Sequence, residues 1–146
     1  MKAHSISAFF PSYNDAGTVR LMAEKLDKIL KENVKDYEII IIDDCSPDDS
    51  GKIADELARE NKNIIVIHHK SNQGYGGALK SGFYSAKKDL IFYTDGDAQY
   101  DVYELPLLLE HIDKYDVVNG YKIRRADKLY RKIMGGIYNF GMHVLF

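Results

Sequence analysis

The chain has 146 residues, of which 45% are hydrophobic and 29% are charged, and this fits one globular domain with a sizeable core. The formal net charge of −2 excludes a global electrostatic attraction to nucleic acid, and the single cysteine, Cys45, excludes an internal disulfide framework and a zinc site built from several cysteines. No stretch approaches the roughly 18 apolar residues of a membrane span, and the N-terminus lacks a signal-peptide pattern.

Predicted strands and helices alternate along the chain. Short apolar runs predict strands at Ile6–Phe10, Glu38–Ile42, Ile64–Ile67 and Leu90–Thr94, and a fifth strand opening at Asp116–Val118. Apolar residues at helical spacing predict helices marked by Val19–Leu30, Ile53–Ala58, Leu79–Ala86 and Leu105–Ile112. This alternation predicts an α/β fold with a mainly parallel central sheet and helices on both faces.

A polar loop follows each of the first four predicted strands. These loops are Pro11–Asp15, Asp43–Asp48, Ser71–Gly77 and Asp95–Asp101. Because ligands of open parallel sheets bind beyond the carboxyl ends of the strands, we expect the loops to meet at one edge and form a binding site there.

The segment Asp95-Gly96-Asp97 is the most specific signal within these loops. It places two carboxylates directly after an apolar strand. Two negative charges so close repel each other unless a cation bridges them or one takes a proton. Mg²⁺ or Mn²⁺ commonly binds one or two carboxylates together with a substrate phosphate. The segment therefore predicts a metal–phosphate site, with ordinary polar loop residues as the alternative.

The other loops carry residues that suit a nucleotide. Tyr13 can stack on a nucleobase or pack over a helix end, and Asp44 can accept hydrogen bonds from a ribose or a base. Asp48 is expected to cap a helix. The glycines Gly74, Gly76 and Gly77 match neither phosphate-loop pattern and predict close backbone approach and a tight helix start.

His68 and His69 end the third strand without the spacing of metal ligands, so a structural role is predicted for them.

A basic segment precedes the C-terminal apolar pattern. Its cations are Lys122, Arg124, Arg125, Lys128, Arg131 and Lys132. Such a segment can lie at an anionic membrane surface, clamp a pyrophosphate, or simply be solvated. The chain ends at Phe146 inside an apolar helical pattern without a stop signal, which predicts a chain truncated at the C-terminus.

Taken in order, these motifs resemble the inverting family 2 glycosyltransferases of the GT-A fold, and especially the dolichol- or polyprenyl-phosphate sugar transferases. The resembling segments are Phe10–Asn14, Ile42–Asp48, Asn72–Ala78, Thr94–Gln99 and the basic segment around Tyr130-Arg131-Lys132. The fold implied is a Rossmann-like three-layer sandwich. Residues 1–120 would form the nucleotide-sugar-binding core, and residues 121–146 the basic segment and truncated amphipathic helix of the same domain.

The resemblance also implies roles for individual residues. The nucleoside would be held by Pro11, Tyr13, Asp15 and Asp44, although the family more often has Glu where Asp15 stands. The Asp95-Gly96-Asp97 segment would lie at the metal and pyrophosphate, with Asp97 catalytic and with Gln99 as a further contact to Mg²⁺ or Mn²⁺. Lys122 and Arg131 would approach the phosphates of donor or acceptor.

The implied activity is metal-assisted, inverting transfer of a hexosyl group from a UDP- or GDP-sugar to a polyprenyl phosphate or a related acceptor. The expected partners are the sugar nucleotide and a lipid phosphate, without nucleic acid. The expected location is the cytoplasm, at the inner face of a membrane in the full-length protein. Two alternatives are a haloacid-dehalogenase-like phosphatase, which also places D-x-D after a strand, and a non-catalytic nucleotide-sugar-binding fragment.

Overall fold

The computed structural model describes residues 4–120 and residues 134, 135, 138, 141 and 142. The chain divides into two compact units, Met1–Glu110 and His111–Phe146. The first unit contains β1 (Ser5–Ser12), α1 (Val19–Asn33), β2 (Asp36–Asp43), α2 (Ser50–Glu60), β3 (Ile64–His68), α3 (Gly74–Ser85), β4 (Leu90–Tyr93), a 3₁₀ turn (Val102–Glu104) and α4 (Leu105–Leu109).

Within the described residues, four parallel strands form one sheet in the order β3-β2-β1-β4. The two central strands are apolar because both of their faces are covered, and Ile39–Ile42 of β2 is fully buried. Ile65 of β3 and Ile91 of β4 lie on the outer strands and are exposed. The order places the carboxyl ends of β1 and β2 side by side, with β4 next to β1.

Two hydrophobic clusters lie on opposite faces of the sheet, because successive strand residues point to opposite sides. The larger cluster joins Ala8 and Phe10 of β1 to the buried side of α1 and α2. The smaller cluster joins Phe9 and Ile40 to Ala78 of α3. The result is a three-layer arrangement of helices, sheet and helix, which confirms the predicted α/β fold class.

Two predictions for the chain after β4 are wrong. The predicted fifth strand at Asp116–Val118 is absent from the described residues, and Val117 is 83% exposed. A run of two valines offers too little apolar surface to bury, so nothing drives it into the sheet. Helix α4 ends at Leu109 rather than continuing to Ile112, and the chain then turns, with the Lys114 N–H donating to the His111 carbonyl at 3.0 Å.

In the described part of the chain, no helix has the length and apolar character needed to cross a membrane. The assignment of residues 121–146 to the same domain as the core stays a prediction, because most of that segment lies outside the described residues.

Candidate functional site

A cleft of about 470 Å³ opens at the carboxyl edge of the sheet. It is lined by Pro11, Tyr13, Asp15, Asp44, Asn72, Gly74, Tyr75, Ala78, Asp95, Gly96 and Asp97. The structure thus brings together the predicted residues from three separate loops and adds the start of α3. Gln99 does not line this cleft, and Lys122 and Arg131 lie outside the described residues.

Each of the four loops that follow the strands contains one residue with positive φ. These are Asn14 (φ 61°), Cys45 (φ 59°), Gly74 (φ 73°) and Ala98 (φ 59°). This left-handed conformation reverses the chain sharply, and it suits Gly74, which has no Cβ, better than it suits Cys45 or Ala98. The tight reversals keep the polar residues close to the strand ends, where they can share one cleft.

Asp48 ties the loop after β1 to the start of α2. Its Oδ1 atom accepts a hydrogen bond from the N–H of Ser50, the first residue of α2, at 3.1 Å. The N-cap residue itself is Asp49, one position later than predicted, and its side chain makes no capping hydrogen bond. The Oδ2 atom of Asp48 accepts a hydrogen bond from the N–H of Ala16 at 3.0 Å. The Ser50 hydroxyl in turn accepts a hydrogen bond from the N–H of Asp15 at 2.9 Å. Asp15 is therefore held against the start of α2 through its backbone.

Asp44 follows β2 and belongs to a buried hydrogen-bonded chain. Its Oδ1 atom lies 2.6 Å from Nδ1 of His69 and accepts a second hydrogen bond from the N–H of Gln73 at 2.8 Å. The other ring nitrogen of His69 lies 2.8 Å from the hydroxyl of Ser81 in α3. Because a carboxylate only accepts hydrogen bonds, His69 carries a proton on Nδ1.

The environment of Asp44 favours its charged form. Burial acts to raise the pKa of Asp44, but the hydrogen bonds from Gln73 N–H and His69 outweigh burial and hold the pKa below its ordinary value. The backbone of Gly74 acts in the same direction. The cleft is thus lined by a buried, charged acceptor.

Asp95 is bonded to two tyrosines. The hydroxyl of Tyr93 donates to Oδ1 of Asp95 at 2.5 Å, and the hydroxyl of Tyr75 donates to the same atom at 2.8 Å. The two hydroxyl oxygens also contact each other. Burial and the neighbouring Asp95 carboxylate raise the pKa of Tyr93 and of Tyr75, so both hydroxyls remain donors at neutral pH.

Asp97 is exposed at the same cleft. Its Oδ1 atom accepts a hydrogen bond from the N–H of Gln99 at 3.0 Å, so the backbone of Gln99 contacts the acidic segment. Burial raises the pKa of Asp15, and the negative charge of Asp97 raises it further, partly offset by the Tyr13 N–H bond. Negative potential therefore accumulates on this side of the cleft, as expected of a site that attracts a cation.

Gly96 lies between the two carboxylates and packs against β1. A Cβ atom at this position would come within 2.3 Å of the Pro11 carbonyl oxygen. Only glycine allows this approach, which brings the Asp95–Asp97 segment against the end of β1.

The donor set suits a hard divalent cation completed by a ligand. Among the described residues, no group of three His, Cys, Asp or Glu side chains converges as a metal site. Asp95 and Asp97 nevertheless share the cleft, and each uses one carboxylate oxygen in a hydrogen bond, leaving the other to a ligand. One or two carboxylates plus substrate phosphates is a coordination that Mg²⁺ uses in proteins.

Sequence reasoning missed several of these contacts. Tyr75 and Tyr93 were not singled out, although Tyr93 precedes Asp95 by two residues and so lies on the same side of the extended chain.

The contacts of the two histidines with the predicted acidic residues were also missed. The register of the strands could have indicated these contacts, because Asp43 pairs with His68 across β2 and β3. Asn72 also lines the cleft, and its Oδ1 atom accepts the N–H of Gly74 at 2.9 Å.

The sequence matches the family model described as Glycosyl transferase family 2 over residues 7–142. It is 32% identical over 140 residues to an undecaprenyl-phosphate 4-deoxy-4-formamido-L-arabinose transferase of Proteus mirabilis, covering 94% of this chain and 43% of that protein. It is 34% identical over 136 residues to the transferase of the same description from Photorhabdus laumondii, covering 92% of this chain and 42% of that protein. The chain thus spans less than half the length of these curated relatives.

Solved structures share the fold at lower identity. S. aureus TarS 1–349 in complex with UDP-GlcNAc superposes with a TM-score of 0.61 at 22% identity, covering 85% of this chain and 37% of that one. The mannosyltransferase PcManGT from Pyrobaculum calidifontis, in complex with GDP-Man and Mn²⁺, gives a TM-score of 0.57 at 21% identity, covering 69% of this chain and 30% of that one. With the match to the family model extending from β1 to residue 142, the chain belongs to glycosyl transferase family 2.

Proposed function

We propose that this chain is the nucleotide-sugar-binding part of an enzyme that transfers a hexosyl group from a UDP- or GDP-sugar to a polyprenyl phosphate, with a divalent metal and with inversion at the sugar. The observation that carries the proposal is the meeting of Asp44, Asp95 and Asp97 in one cleft at the carboxyl edge of the sheet.

The nucleoside would bind beside Tyr13 and Asp44, with Pro11 and Asp15 completing that part of the cleft. Tyr13 is 50% exposed, so a face of its ring is available to stack on a base. The Asp44 carboxylate lines the cleft and would accept a hydrogen bond from a base or a ribose. Because the hydrogen bond from His69 fixes the carboxylate, Asp44 is preorganised for this contact.

The diphosphate would lie against the Asp95–Asp97 segment, with Asp95 and Asp97 holding Mg²⁺ or Mn²⁺. The leaving nucleoside diphosphate gains negative charge as the bond to the sugar breaks, and a bound divalent ion supplies Lewis-acid neutralisation of that charge. Asp97 is the residue we assign to catalysis through this contact. Gln99 contributes through its backbone N–H, which orients Asp97, and a contact from its side chain to the metal is a further proposal.

The acceptor in this proposal is a phosphate rather than a sugar hydroxyl. A sugar hydroxyl needs a positioned general base, whereas a phosphate is already an anionic nucleophile and attacks without one. The names of the relatives from Proteus mirabilis and Photorhabdus laumondii point to undecaprenyl phosphate as acceptor for those proteins. In-line attack by such a phosphate displaces the diphosphate once, which inverts the anomeric carbon.

The basic segment completes the proposal at the membrane. Lys122 and Arg131 would approach the phosphates of the donor or the lipid, and the segment would contact an anionic membrane surface on the cytoplasmic side. These roles require residues 121–146 to act together with the core as parts of one domain.

Transfer from radiolabelled UDP- and GDP-hexoses to undecaprenyl phosphate in detergent tests the proposal. We expect a labelled lipid product that depends on Mn²⁺ or Mg²⁺. Donor binding without a lipid product would instead support the alternative of a non-catalytic fragment, which the 43% coverage of the Proteus mirabilis relative motivates. Hydrolysis of a generic phosphate ester would favour the phosphatase alternative, against which family membership now counts.

A further inference from the structure

Tyr75 and Tyr93 reach the first aspartate of the acidic segment from two different elements. Tyr93 is the last residue of β4, and Tyr75 lies in the first turn of α3. Both donate to one and the same atom, Oδ1 of Asp95, at 2.5 and 2.8 Å. Tyr75 also lines the cleft, so this contact lies at the surface that a ligand would touch.

Two O–H donors on one carboxylate oxygen restrict what the carboxylate can do. The donors and a metal ion compete for the lone pairs of Oδ1, because a hydroxyl hydrogen and a cation approach the same negative charge. Within the described residues, Oδ2 of Asp95 accepts no hydrogen bond. Oδ2 is therefore the oxygen of Asp95 that would be left for a cation, while the tyrosine hydroxyls hold Oδ1.

Cations differ in their need for bidentate carboxylates. Mg²⁺ demands near-ideal octahedral geometry and is commonly held by one or two carboxylates with water and phosphate, whereas Ca²⁺ takes six to eight oxygens in flexible geometry and readily uses carboxylates in a bidentate manner. A carboxylate with one oxygen occupied by protein donors therefore disfavours Ca²⁺ more than Mg²⁺ or Mn²⁺.

We propose that Tyr75 and Tyr93 are positioning residues that set the cation preference of the site, by occupying one oxygen of Asp95 and leaving the other as a single-oxygen ligand. This inference rests on the proposed metal-dependent binding of a nucleoside diphosphate. The tyrosines would act on the ion through Asp95 and not by direct contact.

The test compares the 146-residue chain with the double variant Tyr75→Phe/Tyr93→Phe, which keeps both rings and removes both hydroxyls. Mn²⁺ binding is followed by the electron paramagnetic resonance signal of free Mn²⁺ in the presence of UDP or GDP, with nucleotide-only samples as blanks. Mg²⁺ and Ca²⁺ are then titrated as competitors, and the ratio of their affinities is the readout. We expect the double variant to shift this ratio toward Ca²⁺ on the order of tenfold.

Tyr84→Phe is the matched control, because Tyr84 is a tyrosine of α3 that is 82% exposed and does not line the cleft. We expect this control to leave the ratio unchanged, and the single variant Tyr75→Phe to give a smaller shift than the double variant. A double variant that binds Mn²⁺ with the wild-type Mg²⁺ to Ca²⁺ ratio would overturn the inference while leaving the proposed function intact. Absence of any Mn²⁺ binding by the wild-type chain would overturn the proposed use of metal and this inference with it.

Discussion

The Nδ1 atom of His69 lies 2.6 Å from the Oδ1 atom of Asp44, and both residues are buried between the end of β2 and the start of α3. Replacing His69 by Ala leaves the Asp44 carboxylate with the N–H of Gln73 as its remaining donor at Oδ1. We expect His69→Ala to lower the free energy of unfolding by about 1–3 kcal/mol, because a buried charged acceptor loses a partner. Urea denaturation measures this loss.

His69→Gln, which keeps an N–H donor, is expected to recover part of the stability. Ser81→Ala removes the outer bond of the chain, and we expect a smaller loss of about 0.5–1.5 kcal/mol. Since Asp44 is proposed to contact the nucleoside, His69→Ala should also weaken UDP or GDP binding in the absence of metal. Equal stability of His69→Ala and wild type would contradict the role given to this bond.

The contacts of His68 predict that the free energy of unfolding depends on pH. Its ring nitrogens lie 2.8 Å from Oδ2 of Asp43 and 3.0 Å from Oδ1 of Asp55, and both bonds together require the charged, doubly protonated ring. Hydrogen bonds to these two carboxylates raise the pKa of His68 above its ordinary value. The folded chain therefore binds the proton more tightly than the unfolded chain does.

The stabilisation from His68 is fully present below its unfolded pKa of about 6.5 and is lost as the pH rises through the higher folded pKa. We expect the stability margin of wild type over His68→Gln to be larger at about pH 5.5 than at about pH 9. Asp55→Asn should reduce the margin, because it removes one of the two carboxylates. Urea midpoints across this range measure the effect, and a margin that grows with pH would have the wrong sign.

Gly96 and Gly76 form a matched pair for substitution by Ala. A Cβ at Gly96 would meet the Pro11 carbonyl oxygen at 2.3 Å, whereas a Cβ at Gly76 has nothing within 4 Å. We expect Gly96→Ala to destabilise the chain by about 1–3 kcal/mol, because backbone on both sides must shift. Gly76→Ala in α3 should stabilise it by about 0.5–1 kcal/mol through helix propensity. Urea unfolding distinguishes the two, and similar effects of both substitutions would refute the close packing at Gly96.

The strands and the edge at which their loops meet were predictable, because short stretches of sequence determine them. Ile39–Ile42 is apolar throughout, as only a strand covered on both faces can be, and its four residues are buried. Once the strands are parallel, geometry requires Asp44 and Asp95 to emerge at the same edge. The contact of Asp48 with the start of α2 has an equally local cause, since its carboxylate accepts the N–H two residues along the chain, although the N-cap is Asp49.

The remaining features depend on contacts between distant residues. The bond between His69 and Asp44 spans 25 positions and follows from the β2–β3 register, which composition does not reveal. Tyr75 and Asp95 are 20 positions apart and meet only because α3 begins beside the end of β4. The fifth strand was overpredicted because two valines satisfy a local pattern without a neighbouring strand to pair with.

Cation-dependent binding of the donor is the central claim of the account, and Asp97 is the side chain that tests it most directly. Asp49→Ala is the matched control, because Asp49 is an exposed aspartate that makes no side-chain cap hydrogen bond and does not line the cleft.

The decisive measurement is calorimetric titration of UDP- and GDP-sugars into wild type, Asp97→Ala and Asp49→Ala, each with and without Mn²⁺. The account predicts that Mn²⁺ strengthens binding of one donor to wild type and to Asp49→Ala, and that Asp97→Ala loses this strengthening. Mn²⁺-dependent affinity that persists unchanged in Asp97→Ala would contradict it.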